Sequence, residues 1–373
     1  MFHGCEVTKN FQHLAAITEK NSIFADVITK TINNMRQTFL TMMLLLGLAT
    51  AVWAAGDAAQ KRKQGQWTEI RNGDVWTDEA GNLVQAHAPG FLKQGDTWYM
   101  VGEDRGHSFN PDVNLYASKD LQHWTFVKKI IQNFVTSPDL GRRRMIERAK
   151  LLFNEKTGKY VVWCHWESRN YAASEAACFQ CDSIDGNYQL VWSGRPMGIK
   201  SRDCNVFVDN DGTAYFISTT EENTNLGLFK LSDDYLTPVS HTPLFEGDRR
   251  EAPAIVRVPA EKKGERDLYF MFNSACSGWK PNQCKMSYTH DLTQGWVPLQ
   301  NIGDSVAYRT QAAAILVIRG TKQTTYLYVG DRWMDPDLPH SKIIIFPITF
   351  RGNECEFHYR DSFQINFTTG EWR

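Results

Sequence analysis

Residues 201–218 read SRDCNVFVDNDGTAYFIS: a polar anchor, a short apolar run, a turn and an aromatic strand. Asp211-Gly212 between two apolar runs is a strong hairpin signal, because the turn that it favours needs residues with positive φ. The same order of features recurs about every 50 to 60 residues, which is typical of a repeat architecture. The five anchors are Gln85-Ala86-His87, Glu147-Arg148-Ala149, Ser201-Arg202-Asp203, Arg250-Glu251-Ala252 and Arg309-Thr310-Gln311.

The repeats predict an all-β protein, a five-bladed β-propeller that occupies residues 84–373. Each repeat consists of short strands rich in β-branched and aromatic residues, and no long amphipathic pattern interrupts them. The innermost strands of a propeller line its channel, so the anchors should converge on one funnel. Within the N-terminal segment 55–83, the stretch from Trp67 to Leu83 is expected to supply the closing strand. A two-domain β-sandwich is the alternative fold, and it does not explain five anchors.

The composition excludes some classes of protein. The chain has 373 residues, of which 42% are hydrophobic, so it can build a core. Lys and Arg number 41 against 42 Asp and Glu, so the bulk charge does not attract a polyanion and a nucleic-acid partner is disfavoured. Aromatic residues make up 12% and suit both strands and the flat apolar faces of sugar rings.

The N-terminal 54 residues are interpreted as a leader, with Met35 as the expected true start. The apolar run from Phe39 to Trp53 is too short to span a bilayer comfortably and fits the core of a signal peptide. Small residues before Ala55 offer a cleavage site. The mature chain is therefore expected to be periplasmic or secreted, without a membrane span, and an uncleaved anchor is the alternative.

The cysteines and acidic residues do not demand a metal. Seven of the eight cysteines lie beyond the leader, where export permits disulfides, and their spacing does not fix the connectivity. A lone Cys178-x-x-Cys181 is weak evidence for zinc, which needs four ligands. The stretch that ends at Gly212 is not an EF-hand, since Phe207 stands where the loop needs a carboxylate. No cofactor is expected, although the pattern is compatible with a structural calcium ion in the channel.

Two anchors bring carboxylates to the predicted funnel. Glycoside hydrolysis needs a protonated acid for the leaving oxygen and a base for the attacking water. Glu251 and Asp203 can form a pair in which the second carboxylate raises the pKa of the first. The alternative interpretation is that each carboxylate only pairs with Arg202 or Arg250.

On these residues the chain resembles glycoside hydrolase family 43, over roughly residues 84–363. The family's general acid opens the fourth blade in an E-[GA]-P sequence, which matches Glu251-Ala252-Pro253, and its pKa-modulating aspartate matches Asp203. The resemblance implies a five-bladed propeller that cleaves glycosidic bonds with inversion. It is strongest to the exo-β-1,3-galactanase branch, on Gln85-Ala86-His87, Gly102-Glu103-Asp104, Ser201-Arg202-Asp203, Gly278-Trp279-Lys280-Pro281-Asn282, Thr310-Gln311 and Gly330-Asp331-Arg332-Trp333.

The chain departs from the wider family at the catalytic base, since the first anchor carries no carboxylate. The galactanase branch lacks that aspartate too, and its fifth-blade glutamine, thought to hold the attacking water, matches Gln311. Glu103 resembles a residue of the branch that binds substrate hydroxyls, and it is the alternative base. Ala88-Pro89 replaces glycines of the branch.

We therefore expect a secreted inverting hydrolase, acting on a plant-type oligosaccharide or polysaccharide. Its expected catalytic residues are Glu251, Asp203 and Gln311, and its expected substrate-binding residues are Gln85, His87, Glu103, Arg148, Arg202, Trp279, Arg332 and Trp333. Two alternatives stay open: a carbohydrate-binding propeller without catalysis, favoured by the missing base, and a glycoside phosphorylase. In the second, phosphate would be bound by Arg148, Arg202, Arg309 and Arg332.

Overall fold

The computed structural model describes residues 30–31, 33–39, 41–43, 66–106, 112–132 and 144–373. The chain divides into two units, Met1–Gly65 and Gln66–Arg373. In the first unit the described residues are helical and exposed. Most of the apolar run of the expected leader, and its cleavage site, lie outside the described residues. No helix in the described ranges is long and apolar enough to cross a membrane.

The second unit is built from five four-stranded antiparallel sheets, each made of consecutive strands, and this confirms the five-bladed propeller. Strand β1 (Trp67–Arg71) precedes the blades and β22 (Ser362–Asn366) follows them. The first blade contains β2 (His87–Gln94), β3 (Thr97–Glu103), β4 (Val113–Ser118) and β5 (Thr125–Ile131), and the second contains β6 (Arg144–Asn154), β7 (Lys159–Ser168), β8 (Glu175–Cys181) and β9 (Gln189–Gly194). The third blade contains β10 (Ser201–Val208), β11 (Ala214–Thr220), β12 (Asn225–Leu231) and β13 (Pro238–Leu244), and the fourth contains β14 (Arg250–Val258), β15 (Leu268–Ala275), β16 (Lys285–Thr289) and β17 (Gln300–Asn301). The fifth blade contains β18 (Gln311–Arg319), β19 (Thr324–Arg332), β20 (Lys342–Arg351) and β21 (Glu354–Phe357). Short 3-10 turns occur at Pro196–Gly198, Ala307–Arg309 and Leu338–His340.

The apolar core lies between neighbouring blades. Each of the five buried clusters takes its side chains from two adjacent sheets, and the cluster between the fifth and first blades also includes Ile70 of β1 and Ile365 of β22. The strands bury both faces in this arrangement, which explains why they read as nearly continuous apolar runs.

The ring is closed differently from the expectation. The segment from Trp67 to Leu83 is expected from the sequence to supply a closing strand to the last blade, but its strand β1 pairs with β22 in a separate two-stranded sheet. The fifth blade has no place for a further strand, because residues 311–357 supply all four of its strands. The amide of Asn72 fixes this segment to the fifth blade, since it donates to Ile345 O at 2.6 Å and accepts from Ile345 N at 2.8 Å.

Every innermost strand carries a β-bulge beside its anchor. The register shifts between His87 and Gly90, Glu147 and Lys150, Ser201 and Cys204, Glu251 and Ala254, and Ala312 and Ala314. In three of these bulges a non-glycine residue has positive φ: Ala88 at 47°, Arg148 at 52° and Ala252 at 53°. A bulge bends its strand and can re-aim a side chain, so the same local feature recurs beside the anchor of each blade.

Two buried polar side chains join the innermost strands to one another. The Lys150 ammonium of the second blade donates to Ala88 O at 2.9 Å and Pro89 O at 2.6 Å in the first blade, and to Ala313 O at 3.1 Å in the fifth. The Asn205 amide of the third blade donates to Pro253 O at 2.9 Å in the fourth and to Ala313 O at 2.8 Å. Together they connect all five blades at the axis.

Lys150→Met is expected to destabilise the propeller strongly. The substitution leaves buried carbonyl groups of two blades without a donor, at about 1–3 kcal/mol for each group. The free energy of unfolding, measured by urea denaturation, should fall by roughly 3 kcal/mol or more. Lys156→Met is the control, because its ion pair with Asp233 is exposed and should contribute little. Equal, small losses in the two variants would contradict this role of Lys150.

Candidate active site

A cavity of about 520 Å³ opens where the bulges turn the anchors. Its volume is within the range of small-molecule sites. The wall contains mostly charged and aromatic side chains, contributed by all five blades: Glu103, Arg105, Glu147, Arg148, His165, Tyr171, Arg202, Asp203, Glu222, Asn223, Arg249, Glu251, Cys276, Gly278, Trp279, Gln311 and Trp333. Four of the five anchors therefore converge on one funnel, and the first blade contributes Glu103 in place of its anchor.

The structure brings most of the predicted site residues together. Eight of the eleven line the cavity: Glu103, Arg148, Arg202, Asp203, Glu251, Trp279, Gln311 and Trp333. Trp279 and Trp333 form an edge-to-face pair with ring centroids 4.7 Å apart. An aromatic wall of this kind can pack on the apolar face of a sugar ring.

Three predicted binding residues are not part of the cavity wall. Gln85 donates from its amide to Pro339 O at 2.7 Å. The fully buried His87 ring lies 5.9 Å from the ring of Trp333, which lines the cavity. Arg332 donates to Tyr308 O at 3.0 Å, and its guanidinium stacks over Tyr359. These side chains are held by packing and by backbone carbonyl groups. In this structure they do not line the cavity in which a substrate would bind.

Glu251 lies on the bulge of β14 and is only 8% exposed. Its Oε1 accepts a hydrogen bond from Gln311 Nε2 at 2.9 Å. Burial and then the negative charge of Asp203 raise the pKa of Glu251 to about 8, against the opposing charge of Arg148. This carboxyl group is thus protonated near neutral pH and can act as a proton donor.

The side chain of Arg148 joins Asp203 to Gln311. Its Nε pairs with Asp203 Oδ2 at 2.7 Å, and its Nη2 donates to Gln311 Oε1 at 2.7 Å. A third bond, from Nη1 to Ala312 O at 3.1 Å, fixes the buried guanidinium to the fifth blade. Arg148 therefore holds Asp203 and Gln311 on either side of itself.

Gln311 has partners on both ends of its amide. Oε1 accepts from Arg148 Nη2 and from Trp333 Nε1 at 2.9 Å, and Nε2 donates to Glu251 and to Ser274 Oγ at 3.1 Å. These partners set the orientation of the amide. They also place Gln311 in direct contact with the carboxyl group of Glu251.

Glu103 is the buried carboxylate of the first blade. Its Oε1 accepts from Arg148 N at 2.7 Å, and its Oε2 pairs with Arg105. Burial raises the pKa of Glu103 to about 7, although the charge of Arg105 opposes the shift. A carboxyl group that titrates near neutrality is suited to proton transfer.

The sequence analysis missed several residues of the wall, chiefly Arg105, His165, Tyr171 and Cys276. Arg105 packs its guanidinium over Trp279, with 5.1 Å between guanidinium carbon and ring centroid. His165 pairs in register with Glu147, as Glu103 pairs with His87. His165 could therefore have been predicted from its place near the end of the second strand of its blade, opposite the anchor residue Glu147.

The cysteines and acidic residues show no metal site in the part of the chain that the structure describes. The seven described cysteines are free thiols, and no group of three or more His, Cys, Asp and Glu side chains there could hold a metal ion. At the axis, where the sequence is compatible with a calcium ion, the Lys150 ammonium binds three carbonyl oxygens.

Comparisons with known proteins find similar sequences and similar folds. The model of glycosyl hydrolases family 43 matches residues 82–312. An exo-β-1,3-galactanase from Clostridium thermocellum is 38% identical, with a TM-score of 0.76 over 82% of this chain and 68% of that one. One from Phanerochaete chrysosporium, solved with β-1,3-galactotriose, is 31% identical, with a TM-score of 0.75 over 82% and 70%. A putative exo-β-1,3-galactanase from Bifidobacterium bifidum is 28% identical, with a TM-score of 0.71 over 78% and 97%. A comparison with curated protein sequences found no match.

Proposed function

The chain belongs to glycosyl hydrolase family 43 and is an inverting glycoside hydrolase, and on that premise we propose that it removes galactose from the ends of β-1,3-galactan chains. The observation that carries the proposal is the buried Glu251, whose pKa is raised by burial and by Asp203, in a cavity walled by two tryptophans. The named activities of the similar structures support the choice of galactan. Plant polysaccharide outside the cell is the proposed source of substrate, after export of the chain.

In this mechanism Glu251 is the general acid and donates its proton to the glycosidic oxygen. Asp203 keeps that proton on Glu251 until substrate binds, because its negative charge disfavours a second carboxylate nearby. Arg148 holds Asp203 in place through the 2.7 Å ion pair. Arg202, Trp279 and Trp333 line the cavity and are the proposed contacts with the sugar.

Inversion also needs a group that orients a water molecule opposite the acid. We propose Gln311 for this role, as the family branch suggests. Its Nε2 donates to Glu251 at 2.9 Å and its Oε1 accepts from Arg148 and Trp333, so the amide must release one of these bonds to hold a water on the face opposite Glu251. Glu103 is the second candidate, favoured by a carboxyl group that titrates near neutrality.

The arginines do not favour a phosphorylase. Of the four that could hold phosphate, only Arg148 and Arg202 line the cavity, and each already pairs with a carboxylate, Asp203 and Glu222. A phosphate ion would have to displace those carboxylates. Hydrolysis by water is therefore the reaction that this arrangement supports best.

The test is to incubate the mature chain with β-1,3-galactan, arabinan and xylan oligosaccharides and to follow the products by NMR. We expect galactose from β-1,3-galactan alone, released first as the α-anomer, without phosphate and in the presence of a chelator. Tight binding of oligosaccharide without product would instead support the non-catalytic propeller. Turnover that depends on phosphate would support the phosphorylase.

Asp203→Asn is expected to move the alkaline limb of the pH–rate profile toward lower pH. The variant removes the negative charge that helps to keep Glu251 protonated, so the pKa of Glu251 falls and the acid is lost at lower pH. We expect a shift of about one pH unit or more in the profile of kcat/KM. Glu222→Gln, at the rim of the same cavity, is the control and should leave the limb in place. An unmoved limb in Asp203→Asn would contradict the modulating role.

A further inference from the structure

A chain of buried ionic groups forms one side of the cavity wall, mostly in the second blade, and Glu167 supports it from outside the wall. His165 Nδ1 lies 3.0 Å from Glu147 Oε2, and His165 Nε2 lies 3.1 Å from Glu167 Oε2. The side chains of His165 and Glu167 are 1% and 0% exposed. Glu147 continues the chain to Arg105, whose Nη2 lies 3.1 Å from Glu147 Oε1.

Glu167 also organises the loop that follows β7. Its Oε1 accepts hydrogen bonds from the backbone of Ser168 at 2.8 Å and Ala173 at 2.9 Å. This loop carries Tyr171, whose hydroxyl returns to the cavity wall and donates to Glu147 Oε1 at 2.8 Å. Glu167 therefore contacts both His165 and the loop that carries Tyr171.

The charges around His165 favour its imidazolium form. It is faced by Glu147 from β6, by Glu167 from its own strand, by the Tyr171 ring at 6.3 Å and by Cys204 from β10. Burial alone would lower the pKa of His165, but the two carboxylates raise it to about 9. For Glu147 the signs are reversed. Burial alone would raise its pKa, but the positive charges of His165 and Arg105 hold that pKa below its ordinary value.

We propose that His165 and Glu167 are positioning residues, which clamp Glu147 and Tyr171 in the geometry that the cavity needs to bind sugar. This inference rests on the proposed function, because it assigns the support of the same site. Neither residue needs to touch substrate through its carboxylate or ring: the imidazolium fixes Glu147, and the loop bonds of Glu167 fix Tyr171. The clamp should mainly strengthen the binding of sugar. This contribution to affinity should be lost when His165 loses its proton.

The experiment measures the Kd for β-1,3-galactotriose between pH 6 and pH 10 by calorimetry. It is done in a Glu251→Gln background, so that the acid does not titrate and product forms far more slowly. We expect the Kd to be constant from pH 7.5 to about pH 8.5 and then to rise about tenfold as His165 deprotonates. Titration of Glu103, with its pKa of about 7, lies below this window.

Two variants separate positioning from a merely structural role. In His165→Gln the Kd should be raised about tenfold at pH 7.5 and should no longer change up to pH 10. In Glu167→Gln one carboxylate beside His165 is lost, so the pKa of His165 falls and the rise in Kd should begin at lower pH. His123→Gln is the matched control, since His123 pairs with Asp120 at 2.7 Å on the surface and should not alter the curve.

The outcomes distinguish this inference from the proposed function. Binding that is strong at pH 7.5 but flat up to pH 10 with His165 intact would overturn the positioning role and leave the galactanase proposal standing. No binding of galactotriose at any pH, in a background that remains folded by circular dichroism, would overturn the proposed function itself. A Glu167→Gln curve identical to that with Glu167 intact would remove Glu167 from the clamp.

Discussion

Glu251→Gln is expected to lower kcat on β-1,3-galactobiose by roughly 10²- to 10⁴-fold, the usual contribution of a general acid. The amide has the shape of the carboxyl group but cannot give a proton to the leaving oxygen. Aryl galactosides with good leaving groups need less protonation, so they should retain a much larger share of the activity. Steady-state kinetics on the two substrate types measure the difference.

The affinity for galactotriose should be almost unchanged in Glu251→Gln. Glu222→Gln is the matched control, a glutamate at the same cavity that pairs with Arg202 at 2.7 Å. It should not discriminate between good and poor leaving groups. Equal loss on both substrate types in Glu251→Gln would show that Glu251 positions the sugar and that another group donates the proton.

Gln311→Ala is expected to lower kcat/KM by about 10²-fold or more if Gln311 orients the attacking water. Its removal also deprives Glu251, Arg148 and Trp333 of their common partner. Gln311→Glu should keep part of the activity, with a new acid limb in the pH–rate profile, because a carboxylate at this position is a true base. The measurement is kcat/KM on galactobiose between pH 4 and pH 9.

Glu103→Ala is the comparison that identifies the base. A small anion such as azide can replace a missing base but seldom a missing contact with a hydroxyl group. If Gln311 is the group that holds water, azide should not restore activity to Glu103→Ala. Full activity in Gln311→Ala together with azide rescue of Glu103→Ala would reverse the assignment and make Glu103 the base.

The repeat could be predicted from sequence because each anchor precedes an apolar run and a turn, a local pattern that each blade repeats. The predicted anchors do fall at or just before the innermost strands, as Glu251 on β14 and Gln311 on β18 show. The pairing of β1 with β22 could not be predicted in this way, since it depends on strand ends almost 300 residues apart rather than on a local pattern.

The side-chain directions at the anchors were harder to predict than the anchors themselves. A shift of one residue turns a strand's side chains to the other face, and the bulge beside each anchor introduces such a shift. Gln85 and His87 are absent from the cavity wall, whereas Glu103, opposite His87, lines it. His165 was missed for the related reason that its neighbour across the strands, Glu147, carries the visible charge pattern.

The five bulges have a consequence for how such a site can evolve. A blade that arises by duplication brings its own bulge, and in four of the five blades here a side chain beside that bulge lines the cavity. Divergence can then place an acid in one copy, as at Glu251, and a modulating carboxylate in another, as at Asp203, without rebuilding the backbone. A combinatorial library that randomises only the residue at each bulge would sample new active sites on a scaffold whose inter-blade packing is untouched.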